Sequence, residues 1–575
     1  MVKIGPAFGD YIRLEKSQKH QSHSSRSYSI RSYILPVILI ISVTLITARL
    51  FFLQIIKGES FRNLSDTNRT RTVPIYAPRG IIFDRAGVPL VFNVPGFREP
   101  PTGGSAAGGD GKTKLIDKNE ALRLLSEGKN NLEVDILREY PYKNAFSHVL
   151  GYIGQISKEE LKQKEFSNYK SGDLIGKIGI EREYENKLAG INGKELAEVD
   201  SMGKIIRKLG QTDPLPGQNI TLTLDIVLQK TAFNAAKDVK KGAVIVSTPK
   251  GEILALLSIP SFDQNLFTMG EGYVVAEDVR YKNISEILLD SESQPLLNRA
   301  IGGTYPPGST FKLVVAAAGL EDKIIDKNFA IKDTGVLSLG SFSFSNWYFT
   351  QYGRTDGEVN VVKAIQRSND IFFYKLAELV GVDKISQFAE KFGLGEKLGI
   401  DLTGEQAGIV PTQEWKKRVM GENWYLGDTY HYGIGQGFLL VTPLQVNVWT
   451  QAIANKGVIY KPHLLLSQSE VKTQKFLSNE TASLIREGMI EACNTGGVAW
   501  PLFDFKIKGK PVSIACKTGT AQHGGEDTMP HAWITLFAPS EKPEIIVTVL
   551  SEASGEGSNI AAPIAKKILE EWFGR

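Results

Sequence analysis

Apolar and polar positions change texture three times along this 575-residue chain. Residues 33–48 are almost wholly apolar, and after the single charge of Arg49 the apolar run resumes from Leu50 to Ile56. Counted through Ile56, the run is long enough to span a bilayer, with Arg49 reaching toward the interface. Residues 58 to about 215 alternate short strand-like pieces with charged helical ones and hold too few apolar runs for one large core. From Gln218 onward the pattern is that of a large mixed domain. Residues 220–225 alternate like a strand, and 242–246 and 253–257 flank Pro249, Lys250 and Gly251 as a hairpin. Residues 532–537 and 545–550 predict two more strands, and 561–573 a closing helix with apolar residues at helical spacing. Residues 313–318 have no polar face, which predicts a helix buried in the domain centre.

These elements give an α/β (α+β) chain: an antiparallel sheet flanked by helices over 218–575, a smaller α+β region over 57–217, a transmembrane anchor over 33–56 and a tail over 1–32. The stretch from Pro100 to Gly111 predicts a flexible loop near 100–117. No internal repeat is visible, and the tail after Phe573 is too short for an added domain.

Lys3, Arg13, Lys16, Lys19, Arg26 and Arg31 precede the apolar run against only Asp10 and Glu15, which places the amino terminus in the cytoplasm and everything after about residue 57 outside it. An uncleaved anchor is the expectation, because the basic region is long and apolar residues continue past any cleavage point. A cleaved signal peptide is the rival.

Composition narrows the picture further. At 42% hydrophobic and 23% charged the chain is an ordinary globular protein, and a net charge of +4 is too small to imply nucleic acid. Two cysteines supply neither a metal framework nor a disulfide-rich scaffold. Cys516, next to Lys517 on a predicted strand, is expected to face the other side of the sheet as a core thiol. Pairing with Cys493 is open, but two free cysteines is the expectation.

The candidate chemistry lies in a serine three residues before a lysine. That spacing recurs at Ser126/Lys129, Ser167/Lys170, Ser201/Lys204, Ser247/Lys250 and Ser469/Lys472, so spacing alone selects nothing. Only Ser309 stands at a helix start, after Pro306, Pro307 and Gly308 and ahead of the buried apolar run. A serine in the first helical turn sits beside unpaired N–H groups and the positive end of the helix dipole, which favour negative charge. Lys312 returns to the same face one turn on. Burial holds a lysine's pKa down, so that it accepts the proton that a serine must lose to become a nucleophile.

Pro307-Gly308-Ser309-Thr310-Phe311-Lys312, then Arg367-Ser368-Asn369-Asp370, then Lys517-Thr518-Gly519-Thr520 together resemble the transpeptidase domain of penicillin-binding proteins. Gly433-Ile434-Gly435-Gln436-Gly437 and His531-Ala532-Trp533 are similar to the same family. Upstream, Arg79-Gly80 with Asp84-Arg85, Tyr140-Pro141 and Gly179-Ile180-Glu181 resemble the elongated pedestal, a dimerisation-type domain, of its class B members. On sequence alone Arg79, Asp84 and Arg85 read as salt-bridged surface residues. A Ser-x-Asp second motif leading into Phe372, Phe373 and Tyr374 looks like the elongation type, penicillin-binding protein 2.

The resemblance implies a peptidoglycan D,D-transpeptidase of cell-wall elongation and cell shape. Ser309 would attack the carbonyl between the two terminal D-alanines of a stem peptide while Lys312 takes its proton. Ser368 would relay protons, and Asp370 would hold Lys312. Lys517 and Thr518 would fix the terminal carboxylate, Gly519 would allow close approach, and the N–H groups of Ser309 and Thr520 would bind the oxyanion. It also implies that penicillins and other β-lactams trap the same serine, and that a membrane-embedded SEDS-type glycosyltransferase (RodA-like) polymerises the glycan. No cofactor is expected. Some elongation-type relatives carry zinc between the first two motifs. Residues 325–360 hold neither His nor Cys, so that site is not carried over. A class D-like β-lactamase or β-lactam sensor shares the first motif but carries Ser-x-Val as its second. A non-catalytic scaffold would have no reason to keep every motif residue.

Overall fold

The computed structural model describes residues 31–99, 114–128, 132–200, 205–270, 272–277, 279–524 and 528–575. The predicted loop from Pro100 to Gly111 lies outside them, and Lys114–Ile116 is a strand. Packing divides the chain into two compact units, Met1–Val73 with Glu195–Gln211 and Pro74–Lys194 with Thr212–Arg575. In the first, helix α1 (Arg31–Phe51) continues through a π-helical stretch, Phe52–Ile56. Together they give a helix, Tyr33–Ile56, long and apolar enough to cross a membrane and with none of it buried. The helix Gly58–Arg69 leads from it into the strand Thr70–Ile75.

The second unit is built on a five-stranded sheet of β1 (Gly242–Ser247), β2 (Ile253–Ile259), β3 (Ala515–Ala521), β4 (His531–Ala538) and β5 (Ile545–Ser551), in the order β2-β1-β5-β4-β3. Every neighbouring pair is antiparallel, and β3 is an edge. The two-residue period of the strands sorts their side chains between two cores. Val244, Val246, Ile534, Leu536, Val547 and Val549 pack against α2 (Ile226–Ala235) and the closing helix Ala561–Gly574. Ala243, Ile245, Trp533, Phe537, Ile546 and Leu550 face the other way. That second core is filled by α3 (Lys312–Glu321), α4 (Val361–Arg367), α5 (Asp370–Val380), α6 (Pro443–Ala454) and α7 (Asn479–Ala492). Helix α3 is its centre: every residue from Lys312 to Leu320 is buried, as its lack of a polar face requires.

The hairpin, the two later strands and the closing helix fall where the pattern put them. Two starts differ. Residues 220–225 yield only the short strand Ile220–Thr221, paired in parallel with Ile82–Phe83. The remainder turns into the N-cap of α2, where the Asp225 carboxylate accepts from the N–H groups of Val227 and Leu228 at 3.0 Å. The central helix opens with a 3₁₀ turn, Gly308–Phe311, and becomes α-helical at Lys312. Such turns are common at the ends of α-helices.

Packing continues across residue 217, since Ile82, Leu90, Tyr140, Phe146 and Leu150 belong to the same core as α3. Arg79 and Asp84 are therefore not surface residues. Arg79 donates to Glu181 at 2.9 Å and to Glu185 at 2.7 Å, and Arg138 donates to Glu181 at 2.7 Å. Asp84, 1% exposed, accepts from the N–H groups of Ala86 and Val88. These partners of Arg79 stand about a hundred residues away in sequence, beyond the reach of any local pattern.

The free-cysteine expectation is overturned: Cys493 and Cys516 are disulfide-bonded, with Cα atoms 5.9 Å apart. Cys516 does lie on the face of β3 opposite the α3 core, in the cluster with the closing helix. What the sequence concealed is that the C-cap of α7, Cys493, meets β3 there. Closing a loop of 23 residues removes conformational freedom from the unfolded chain. Replacing both cysteines by serine is therefore expected to lower unfolding stability by about 3 kcal/mol, read by urea denaturation under oxidising conditions.

Candidate active site

Ser309 is half-buried in the 3₁₀ turn, and three neighbours fix that turn. The Gly308 N–H donates to the Gly435 carbonyl at 2.9 Å, Tyr305 and Val441 exchange N–H···O bonds of 2.9 Å, and the Trp533 indole donates to the Pro306 carbonyl at 3.1 Å. Gly435 must be glycine: its φ is +74°, and a Cβ there would stand 2.2 Å from the Gly308 carbonyl oxygen. Strand β3 passes the other side of the turn so closely that a Cβ on Gly519 would lie 3.0 Å from the Pro307 oxygen and 3.1 Å from the Thr310 methyl.

Lys312 begins α3 one turn below Ser309 and is 0% exposed. Its Nζ donates to Asp370 Oδ1 at 2.6 Å and to the Ser368 carbonyl at 2.8 Å, and lies 3.4 Å from Ser368 Oγ. Ser368 caps α4 in the left-handed region, with φ +52°. A conformation uncommon for a residue with a side chain turns its carbonyl and its hydroxyl toward the buried amines. Lys517, also 0% exposed, comes from β3 and donates to the same Ser368 Oγ at 2.8 Å and to the Thr518 carbonyl at 2.8 Å. One hydroxyl thus joins the helix, the second motif and the edge strand.

Two amines around one buried hydroxyl cannot both keep ordinary proton affinities. Burial lowers the pKa of Lys312, and the Asp370 carboxylate partly restores it. Burial pulls Lys517 well below the usual lysine value, the nearby Lys312 charge lowers it further, and Asp370 raises it. The arrangement can hold an amine ready to take a proton beside a serine at a helix mouth, and a second cation beside an edge strand.

All eight residues singled out from the sequence fall into this one assembly. Lys312, Ser368, Asp370 and Lys517 form its polar centre, Ser309 stands in the 3₁₀ turn three residues before Lys312, Thr518 and Gly519 are buried on β3, and Thr520 is exposed near its end. Asn346 and Trp347 carry no motif that would single them out in the sequence. The Trp347 N–H donates to Asp370 Oδ2 at 2.9 Å, and the Asp370 N–H donates to Asn346 Oδ1 at 3.2 Å. Among the described residues, no group of three His, Cys, Asp or Glu side chains is placed to hold a metal ion.

The family model for the penicillin-binding protein transpeptidase domain matches residues 241–570, which contain every one of these groups, and that for the penicillin-binding protein dimerisation domain matches residues 116–222. The chain belongs to the penicillin-binding protein transpeptidase family. It is 34% identical to the peptidoglycan D,D-transpeptidase MrdA of Acinetobacter baumannii over 93% of this chain and 86% of that protein. Among solved structures it is similar to the penicillin-binding protein (PBP2) in complex with MreC from Helicobacter pylori, with a TM-score of 0.73 and 30% identity, covering 88% of this chain and 98% of that one. It is similar also to a chain of a peptidoglycan synthase complex that coordinates polymerization and crosslinking, with a TM-score of 0.71 and 28% identity, covering 95% and 98%. The chain is mixed α/β, and the apolar helix Tyr33–Ile56 together with these relatives supports a membrane-anchored protein.

The buried amine of Lys517 sets a test of the electrostatics. Its folded pKa lies below the ordinary 10.5, so between the two values the unfolded chain binds more protons, and stability rises with pH through that window. Lys517→Met, which does not titrate, is expected to be more stable than the parent near neutral pH. That advantage should shrink as pH approaches 10.5, as measured by urea unfolding at a series of pH values.

Proposed function

We propose that this chain is the serine D,D-transpeptidase that cross-links peptidoglycan during cell-wall elongation. The observation that carries the reading is the Ser368 hydroxyl shared between Lys517 and Lys312, the residue that begins α3 directly after the Ser309 turn. Lys312, as its neutral amine, takes the Ser309 proton as Oγ bonds to the carbonyl carbon of the penultimate D-alanine. The N–H groups of Ser309 and Thr520 hold the oxyanion, a contribution of roughly 10²- to 10³-fold per donor. Ser368 passes a proton to the departing D-alanine nitrogen as the C–N bond breaks, leaving an ester on Ser309. The amine of a second stem peptide then displaces Ser309 and completes the cross-link. Lys517 and Thr518 hold the donor's terminal carboxylate, which suits a cation beside a strand edge, and Asp370 orients Lys312.

The proposal divides the chain into a cytoplasmic tail over 1–32, the anchor over 33–56, a pedestal over 57–217 and the transpeptidase domain over 218–575. The excess of Lys and Arg before the anchor supports a catalytic domain outside the cytoplasm, where peptidoglycan lies. The partners proposed are an MreC-type protein, as in the Helicobacter pylori complex, and a RodA-like SEDS glycosyltransferase, a reading supported by the likeness to a synthase complex that polymerises as well as cross-links.

Labelling with a fluorescent penicillin tests the nucleophile. The parent should carry one stable adduct, mapped by intact mass and peptide analysis to Ser309, and Ser309→Ala should carry none. Lys312→Ala should acylate more slowly by about 10²- to 10⁴-fold. Equal labelling of parent and Ser309→Ala would remove Ser309 as nucleophile, and sustained hydrolysis of the penicillin would make the chain a β-lactamase.

A further inference from the structure

Asp333 lies on the segment between the first two motifs, 4% exposed, and has no part in the chemistry described above. Its carboxylate is the hub of a buried knot. Oδ2 accepts from the side-chain amides of Asn346 and Asn369, each at 2.9 Å, and from the Asp356 N–H at 2.9 Å, while Oδ1 accepts from the Gly335 N–H at 2.8 Å. Four N–H donors around one buried carboxylate suit its ionised form. A second carboxylate joins from Asp356, whose Oδ2 accepts from Asn369 at 3.0 Å and whose Oδ1 pairs with Arg367 Nε at 3.0 Å.

Both amides held by Asp333 work on the second motif. Asn346, fully buried, turns its carbonyl oxygen to the Asp370 N–H, and the residue after it, Trp347, gives its N–H to Asp370 Oδ2. Asn369, also fully buried, caps α5 by accepting from the Phe372 N–H at 2.9 Å. Asp370 is gripped from two sides by groups that Asp333 orients, and its remaining oxygen is the one that meets Lys312. The segment 333–356 forms a two-stranded hairpin of Val336–Leu339 with Phe342–Ser345, and is tied to the rest of the domain also by Phe344, which packs against Tyr374 and Tyr430, and by the Trp347 indole, which donates to the Arg367 carbonyl at 3.0 Å.

We propose that Asp333 is a positioning residue for acyl transfer: through Asn346 and Asn369 it fixes the Asp370 carboxylate against Lys312. Replacing the carboxylate by an amide sets an NH₂ group or a single carbonyl among donors that need a doubly accepting anion. The knot opens and Asp370 is no longer held. This inference rests on the transpeptidase reading, so the experiment measures both.

Second-order acylation by a fluorescent penicillin is followed for the full-length parent and for Asp333→Asn, with the reactive fraction counted at completion, across a pH series. The groups facing the Lys312 amine are Asp370, Ser368 and Lys517, and those facing Asp370 are Lys312, Trp347 and Tyr374. Asp370 raises the Lys312 pKa, so its release moves the acid limb of the profile to lower pH. The expected result is a rate constant lower by about 10- to 100-fold per reactive molecule, together with an acid-shifted limb. A purely structural role would reduce the reactive fraction at every pH and leave both the rate constant and the limb unchanged, and that result would overturn the proposal. Should Asp333→Asn not fold, Asn346→Ser, which cuts the same link, is held to the same two criteria. A parent that is not acylated at Ser309 would sink the transpeptidase reading itself, a failure seen before any variant is compared.

Discussion

Two lysine side chains, each sealed from water, converge on the hydroxyl of Ser368. Taking two like charges into a low-dielectric interior is costly, and a nearby anion relieves only part of that cost. The surroundings of the pair can be understood from this difficulty. Helix α3 has no polar face, so its first residue is drawn out of water with the rest of it. Ser368 adopts a backbone conformation that a serine rarely takes, and in it both its carbonyl and its hydroxyl reach the amines. Asp370 supplies one negative charge to two potential positive ones, and that imbalance keeps an amine ready to give up its proton. A second carboxylate beside Lys517 would make the core more stable and leave the base less able to accept.

The upstream half meets a similar problem with the opposite balance. Around Arg79, two arginines and two glutamates are buried together, and each charge has a partner of the other sign at hydrogen-bonding distance. Removing any one member would leave a buried charge uncompensated. This balanced cluster gives rigidity and no reactivity. The same residue types serve as structure in one place and as chemistry in the other, and what differs is whether the charges cancel.

Most of the sheet was legible in the sequence because each piece carries a local signature, and the cluster of Lys312, Ser368, Asp370 and Lys517 was legible through the resemblance of its motifs to a known family. Residues 242–257 and 532–550 alternate or run apolar between turn residues, 313–318 lacks any polar face, and Pro306, Pro307 and Gly308 mark a helix start. What could not be read depends on contacts between distant segments. The cystine joins the end of one helix to a strand, and nothing around Cys493 foretells that meeting. Asn346 and Asp333 are ordinary polar residues on either side of a short hairpin, and only the fold brings Asn346 against Asp370 and Asp333 against Asn346. Arg79 reads as exposed from its neighbours because the carboxylates that bury it arrive from about a hundred residues downstream.

Strand β3 carries Lys517 on the outermost position of its sheet, so among the described residues one rank of its backbone N–H and C=O groups has no neighbouring strand to pair with. An extended peptide laid there would complete the ladder as a sixth strand. It would be read by its main chain and its free carboxyl end, and hardly at all by its side chains. Recognition of that kind tolerates variation along the stem, and it admits a rigid bicyclic compound that offers the same amide and the same carboxylate in one plane. Substrate breadth and susceptibility to mimicry would then have a single cause, the absence of a neighbour on one side of a strand.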